Sequence, residues 1–404
     1  MSKLEELIQQ YCPDGVEYRP LWSLTAWDKK FNGIEDKSKQ KRVVKYNYLL
    51  AADLKSYQVE GGTVKLLTTN ISNLYTSEEL AEGLASDGEV VAIPWGGNPV
   101  VQYYKGRFLT ADNRIATSLD TTLLNNKFLY YCMLSQLKLI ASFYRGSGIK
   151  HPDMAKVLDL EIPIPPLPVQ EEIVRILDTF TELQAELQAE LQKRLQQYNY
   201  YRDNLLSFEG RTDVEWKKLG EIGKVCMCKR IMKDQTSSSG DVPFYKIGTF
   251  GGDADAFISK ELFEEYKNKY SYPNKGDILI SAAGTIGRTV VFDGKASYFQ
   301  DSNIVWLKHN ESVVLNSFLR YCYTQSPWAI STGGTIARLY NDNILNAVIP
   351  VPSISEQQRI VDILDRFDAL TTDLSQGLPA EIEKRRQQYE FYRDKLLTFK
   401  RKEA

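Results

Sequence analysis

Residues 169–208 read VQEEIVRILDTFTELQAELQAELQKRLQQYNYYRDNLLSF, forty positions without a glycine or a proline. Apolar side chains recur three or four apart: Ile173, Leu177, Phe180, Leu183, Leu187, Leu191, Leu195, Tyr198, Tyr201, Leu205 and Phe208. That spacing is a helical stripe, and the run far exceeds the ~11–12-residue average helix. At ~1.5 Å per residue it would span roughly 60 Å. A stripe that long cannot be buried inside one small domain, so the helix is expected to be a strut with a partner helix.

The partner lies further along the same chain. IPIPPLPVQEEIVRILD (162–178) returns as VIPVPSISEQQRIVDILD (348–365), and QQYNYYRDNLLSF (196–208) returns as QQYEFYRDKLLTF (387–399). Gly88 meets Gly276 at an offset of 188, Cys132 meets Cys322 at 190, Ile173 meets Ile360 at 187 and Tyr198 meets Tyr389 at 191. Offsets this close over such a span indicate internal duplication. The second copy is four residues longer across LSQGLPAEI (374–382), where Gly377 suits the cap after a helix end and Pro379 the first position of a new helix.

The short amphipathic N-terminal helix (1–13) matches the last turns of the long helix, since DGVEY (14–18) parallels TDVEW (212–216). The chain therefore reads as a cyclic two-repeat object opened inside one copy, with the N-terminal helix docking near the C-terminal one. The expected organisation is a globular domain at 14–160, a central helix at 161–210, a second globular domain at 211–347 and a C-terminal helical region at 348–404. The fold class is α+β, two domains of mixed sheet and helix joined by two long antiparallel helices about a pseudo-two-fold axis. Ile173, Leu177, Phe180, Tyr198, Ile360, Leu364, Phe367 and Tyr389 are expected at the helix packing, and Leu183, Leu187 and Leu191 along the central spacer. Strand candidates are 63–68, 89–94, 100–104 and 114–119, then 244–247, 277–281, 289–292 and 303–308. Residues 128–142 read as one buried helix, matched in part by 318–326.

Composition excludes several classes. The 404 residues carry a net charge of −2, so the chain is not a uniformly basic nucleic-acid binder, although 50 Lys and Arg allow local basic faces. No apolar run reaches the ~18 residues that span a bilayer, and MSKLEELIQQ holds no signal-peptide core, so a cytoplasmic location is expected. Five cysteines make no disulfide framework, and Cys226-x-Cys228 has no companion cluster for a metal. With two histidines and no nucleophile–base pair, no active site, cofactor site or metal site is expected. Gly284-Thr285-Ile286-Gly287 lacks the Lys-Ser/Thr of a phosphate loop.

Binding features are better supplied. FYRGSGIKH (143–151) and STGGTIARLYN (331–341) precede the two long helices, and WGGN (95–98) and GTIGR (284–288) occupy matching loops. Small residues permit close backbone approach, while Arg, Lys, Asn and Tyr reach phosphates and base edges. The candidate DNA contacts are Trp95, Asn98, Arg107, Arg145, Ser147, Lys150 and His151 in the first domain. In the second they are Lys246, Thr285, Arg288, Thr335, Arg338, Tyr340 and Asn341.

The paired proline-rich helix entries, the QQYxxYRDxLL strings, GDILISAAGTIGRTVVFDG (276–294) and GGTIARLYNDNIL (333–345) together closely resemble the specificity subunit of type I restriction–modification enzymes. The resemblance covers essentially the whole chain; the first domain departs from it where AIPWGGN (92–98) replaces the ISxxGTIG string. It implies two target-recognition domains, each reading half of an asymmetric bipartite target in double-stranded DNA. It further implies that the helical regions dock two methyltransferase subunits, which use S-adenosylmethionine, and that restriction subunits using ATP and Mg join them in a bacterial or archaeal cell. The chain itself would hold no cofactor and perform no catalysis. The TELQAELQAEL run (181–191) resembles the short helical repeat that sets spacer length in part of this family. Removing one QAEL unit would shorten the helix by ~6 Å and change the spacer by about one or two base pairs at ~3.4 Å each. Two rival functions remain at this level: a stand-alone DNA-modifying enzyme, separable by S-adenosylmethionine binding to the chain alone, and a coiled-coil adaptor that binds no DNA.

Overall fold

The uninterrupted stretch folds as one helix, Leu167–Ser207, in a computed structural model that describes residues 2–32, 34–40, 42–329, 338–373 and 375–403. It ends where Phe208 turns left-handed (φ 46°) and buries its ring, so this residue closes the helix from outside its last turn. The chain divides into two compact units, residues 1–187 with 382–404 and residues 188–381, and the long helix contributes to both.

In the first unit, the strand Glu17–Pro20 pairs antiparallel with Glu161–Ile164, at the entrance to the long helix. A six-stranded sheet follows, in the order Thr25–Trp27, Asn113–Ser118, Ser86–Pro94, Gln102–Thr110, Val64–Leu67 and Tyr75–Thr76. The stretch expected as one helix from 128 to 142 is two, Asn126–Ser135 and Leu137–Ser142. The break falls at Gln136, whose side-chain amide donates to the Glu161 carbonyl at 3.0 Å. Ile173 and Leu177 are fully buried in a core shared with Phe128 and Leu129, so the globular domain buries this turn as well as a partner helix. Phe180 stacks on Tyr392 with centroids 5.5 Å apart, and Tyr389 packs on the same core.

The two ends of the chain meet in this unit. The Val16 N–H donates to the Lys400 carbonyl at 2.9 Å, the Lys402 N–H to the Val16 carbonyl at 3.0 Å, and Leu4 shares the core with Leu397. Gly15 (φ 96°) sits where a Cβ would strike the Lys400 carbonyl.

The second unit repeats the frame. Glu215–Lys218 pairs with Val348–Val351, and Gly223–Met227, Ile304–His309, Ile278–Ser281 and Thr289–Val291 form a four-stranded sheet in that order. The next three strands, Tyr298–Phe299, Val242–Tyr245 and Phe257–Ile258, form a separate sheet. The strand order is that of the first unit, including the parallel pairing of Lys65 with Phe108 and of Phe244 with Tyr298. Where the first unit runs one strand from Gln102 to Thr110, the second is interrupted around Gly294 (φ 85°), and the sheet divides there. Ile360 and Leu364 are fully buried with Phe318 and Leu319, Tyr198 packs on that core, and Tyr201 stacks on Phe367 at 5.5 Å.

Two expectations about the helices need correction. Leu183 is 42% exposed, and Leu187 and Leu191 are half-buried. A leucine every fourth residue precesses by about 40° per step on a helix of ~3.6 residues per turn, so the QAEL leucines drift off one face. The second break also works differently from the capping expected. The helix Ile354–Thr372 stops because the Asp373 carboxylate accepts from Ser375 N–H, Ser375 Oγ–H and Gln376 N–H. Gly377 precedes the next helix, Leu378–Leu396, and is packed so closely that a Cβ would lie 2.6 Å from the Ala369 carbonyl; Pro379 takes the second helical position. No described helix is long and apolar enough to cross a membrane.

Candidate nucleic-acid interface

In the first unit the strand Ser86–Pro94 delivers Trp95-Gly96-Gly97-Asn98 to its own C-terminal end, where the hairpin Tyr144–Arg145/His151–Pro152 meets it. Tyr144 Oη–H donates to the Pro94 carbonyl at 2.7 Å, and the Gly97 N–H to the Lys150 carbonyl at 3.1 Å. His151 Nδ1 lies 2.7 Å from the Trp95 carbonyl, which makes it the donor. Gly96 is required by this closeness, since a Cβ would lie 2.8 Å from Ile149 Cγ2. The Trp95 indole contacts the His151 ring, 5.1 Å between centroids, and the Arg114 guanidinium, 4.0 Å from its centroid.

Arg114 is a functional neighbour that the sequence reading does not single out. It is buried, donating to Asp112 Oδ1 at 3.0 Å and to the Asn113 carbonyl at 2.9 Å. Nearby Asp28 has its carboxyl pushed above the usual range by burial, opposed by the Ile115 N–H and by Arg114. Trp95 and His151 thus hold the loop in shape, His151 while itself exposed, and Asn98, Arg145, Ser147 and Lys150 also stand exposed on it.

Arg107 does not join this group. It pairs in register with Asp87, seven residues from Pro94 and so roughly 23 Å along the strand, and its guanidinium is bound to Glu78. Only the strand register separates it from the others.

In the second unit the loop 282–288 leaves the strand Ile278–Ser281. Ser281 Oγ–H donates to the Thr285 carbonyl and accepts from the Arg288 N–H at 3.0 Å, which folds the loop tightly and leaves the Thr285 side chain exposed. Arg288 donates to the Phe250 carbonyl at 2.9 Å. The Leu339 N–H donates to the Ala282 carbonyl at 2.9 Å, bringing the segment before the helix Asn341–Leu345 against the same loop.

Arg338 turns inward, donating to the Ser302 carbonyl at 3.0 Å and Asn303 Oδ1 at 3.3 Å; Ser302 is left-handed (φ 52°). Gln300 and Asp301 tie two further loops to this turn, through the Ile247 N–H at 2.9 Å and Arg230 at 2.9 Å. Lys246 is partly exposed and paired with Asp255 at 2.8 Å. Tyr340 and Asn341 are exposed, and Thr335 lies outside the described residues. Arg288 and Arg338 therefore hold loops together, while Thr285, Tyr340 and Asn341 face outward. The turns Asp112-Asn113 and Ser302-Asn303, at the repeat offset of 190, were the legible sign of this hub.

All five cysteines are buried as free thiols, and among the described residues no group of three or more His, Cys, Asp or Glu could hold a metal ion. On the helices, Tyr200 and Phe391 occupy matching places in the repeat and are both strongly exposed, at 66% and 62%.

The chain matches the family model for the type I restriction modification DNA specificity domain over residues 87–197 and 212–384. It is 50% identical over 335 residues to a Haemophilus influenzae protein assigned as a type I restriction enzyme specificity subunit, covering 80% of this chain and 86% of that one. It is 35% identical over 314 residues to the specificity subunit of an Escherichia coli type I restriction enzyme, covering 72% and 75%. Among solved structures, the S subunit of a type I restriction–modification system from M. genitalium superimposes with a TM-score of 0.58 at 17% identity, over 95% of this chain and 96% of that one.

Proposed function

This chain belongs to the type I restriction–modification DNA specificity family, and on that footing we propose that its two loop clusters each read one half of a bipartite DNA target. It is a specificity subunit, a non-catalytic component that recognises DNA and assembles with other subunits. The observation that carries the reading is the recurrence of one arrangement. In each unit a strand-end loop is hydrogen-bonded to the segment leading toward a long helix, Gly97 to Lys150 and Leu339 to Ala282. Each arrangement leaves polar side chains outward: Asn98, Arg145 and Lys150 in the first, Thr285, Tyr340 and Asn341 in the second. Such groups suit the major groove, where a good bidentate contact discriminates by ~1–3 kcal/mol.

The partners in this reading are two methyltransferase subunits, docked on the helical regions where Tyr200 and Phe391 stand exposed. They would carry S-adenosylmethionine and extract the adenine from the duplex, and restriction subunits would bring ATP and Mg. The setting is the cytoplasm of a bacterial or archaeal cell, and the QAEL run sets the spacing between half-sites.

Methylome sequencing of a host carrying this chain and its methyltransferase tests the assignment. Asn98→Ala with Arg145→Ala should relax one half-site only, and Thr285→Ala with Asn341→Ala the other only. Unchanged targets in both, or loss of both half-sites from either pair, would remove these loops from the reading surface.

A further inference from the structure

The first unit has a cleft whose aromatic wall is absent at the matching places of the second. It opens beside the strand Glu17–Pro20 and the turn Lys37–Gln40 and is lined by Arg19, Lys29, Lys39 and Arg42, with no carboxylate among its described lining residues. Lys39 is paired with Asp159 at 2.5 Å, but the carboxylates beside Arg19 and Lys29 lie at 3.7 and 3.9 Å, and Arg42 is exposed. The second of these, Asp28, is shared with the buried Arg114.

The walls are aromatic and held in place. Trp27 is buried, its Nε1–H on Thr25 Oγ1 at 2.9 Å and its ring edge-on to Phe31. Gln40 clamps the Phe31 backbone from both sides, accepting its N–H at 2.5 Å and donating to its carbonyl at 3.3 Å. Trp22 is only half-buried, which leaves part of its indole open to the cleft. Matching the strand pairs Glu17–Ile164 and Glu215–Val351 places Gly220 opposite Trp22, Val225 opposite Trp27 and Met227 opposite Lys29. Neither the aromatic wall nor this lysine is repeated.

We propose that this cleft binds a single nucleotide unit, its phosphate among the guanidinium and ammonium groups and its base against Trp22. Cations alone would select any anion. Guanidinium groups favour the oxygens of a phosphate, and an open indole adds a preference for a flat ring that stacks. The nucleotide can come from a nucleic-acid strand or from a free mononucleotide, and the chemistry is the same. The site is separate from the loops that read sequence, so its loss changes affinity and leaves sequence preference intact.

The full-length chain is titrated with AMP, with inorganic phosphate and with a mixed-sequence DNA duplex, as wild type and as Lys29→Ala/Arg42→Ala, Trp22→Ala and Trp22→Phe. Expected is saturable quenching of tryptophan fluorescence by AMP, weakened at least tenfold in the double variant and in Trp22→Ala and retained in Trp22→Phe. In the duplex arm the slope of log K against log salt should fall by about 0.9 in the double variant, the contribution of the one phosphate that is no longer neutralised. An AMP effect with an unchanged slope identifies a free mononucleotide as the source, and a reduced slope without AMP binding identifies a strand; each supports the site. Phosphate binding as tight as AMP and indifferent to Trp22→Ala overturns the proposal, because the aromatic wall would then do nothing. So does the absence of both effects. A methylome altered by the double variant would instead move the cleft into the reading surface and overturn its separateness.

Discussion

The two units fasten their globular parts to the long helices in the same way and hold their loops in different ways. Gln170 is fully buried, accepting from the Asn125 N–H at 2.9 Å and donating to the Leu123 and Pro165 carbonyls at 2.8 and 2.7 Å. Gln357 does the same with the Leu315 N–H and the Val313 and Pro352 carbonyls, at 2.9, 3.0 and 2.9 Å. Beside them Tyr131 donates to Asp178 at 2.6 Å, and Tyr321 to Asp365 at 2.5 Å. At the tips this agreement ends. The turn at Asp112-Asn113 is pinned by Arg114 from within its own strand, and its counterpart at Ser302-Asn303 by Arg338 from the segment before the next helix. The difference separates two kinds of constraint. The joint must satisfy the same buried backbone groups in each copy, whereas the tip needs only some cation to close its turn.

The sharpest way to break this comparison is to remove the glutamines. Gln170→Leu and Gln357→Leu each strand one buried N–H and two carbonyls, and at ~1–3 kcal/mol per unsatisfied group each should cost roughly 3 kcal/mol or more. Urea unfolding followed by hydrogen exchange in segments 123–125 and 313–315 measures both. A large loss in one unit only would show that the joints are not equivalent.

Tyr131→Phe and Tyr321→Phe should cost less, about 1.5–2 kcal/mol for a hydrogen bond to a charged group. The loss should be smaller at Tyr131, because Lys127 remains on Asp178 at 2.7 Å while Arg320 lies 3.9 Å from Asp365. Equal losses in thermal unfolding would mean that these cations contribute nothing to the difference.

The smallest effect separates the units by pH. The Arg175 guanidinium, helped by Lys3, holds the buried Glu172 carboxyl down to about 2, whereas Arg359 and Arg211 lower the more exposed Glu356. A depressed carboxylate stabilises above its unfolded value and loses that contribution as pH falls from about 4.5 toward 2. Because Lys3 and Arg175 are themselves mostly exposed, the contribution at neutral pH is about 1 kcal/mol. Glu172→Gln should lower the melting temperature at pH 7, with a gap that narrows below pH 4. A gap independent of pH would mean that shape, not charge, is what Glu172 supplies.

The duplication and the long helix were legible because both are periodic: the stripe repeats every turn, and QQYNYYRD repeats as QQYEFYRD. What escaped depends on register or on a single buried contact. Arg107 looks like any strand arginine until its pairing with Asp87 places it far from Trp95. Arg114 and Arg338 read as DNA contacts or as nothing, because composition cannot say whether a guanidinium faces a turn or solvent. The QAEL leucines read as a buried seam, but a four-residue repeat drifts around a helix, and the exposure of Leu183 is the result.

The seam between Val16 and Lys400–Lys402 has a consequence for how the protein is made. Residues 1–187 of the first unit are synthesised before any of the second, yet that unit needs 382–404 to close, while the second unit lies wholly between 188 and 381. At ~5–20 residues per second, roughly 10–40 s pass between synthesis of residue 187 and residue 382. For that interval Leu4, Cys12 and Val16 wait without Leu397, and the unit started first is the one finished last.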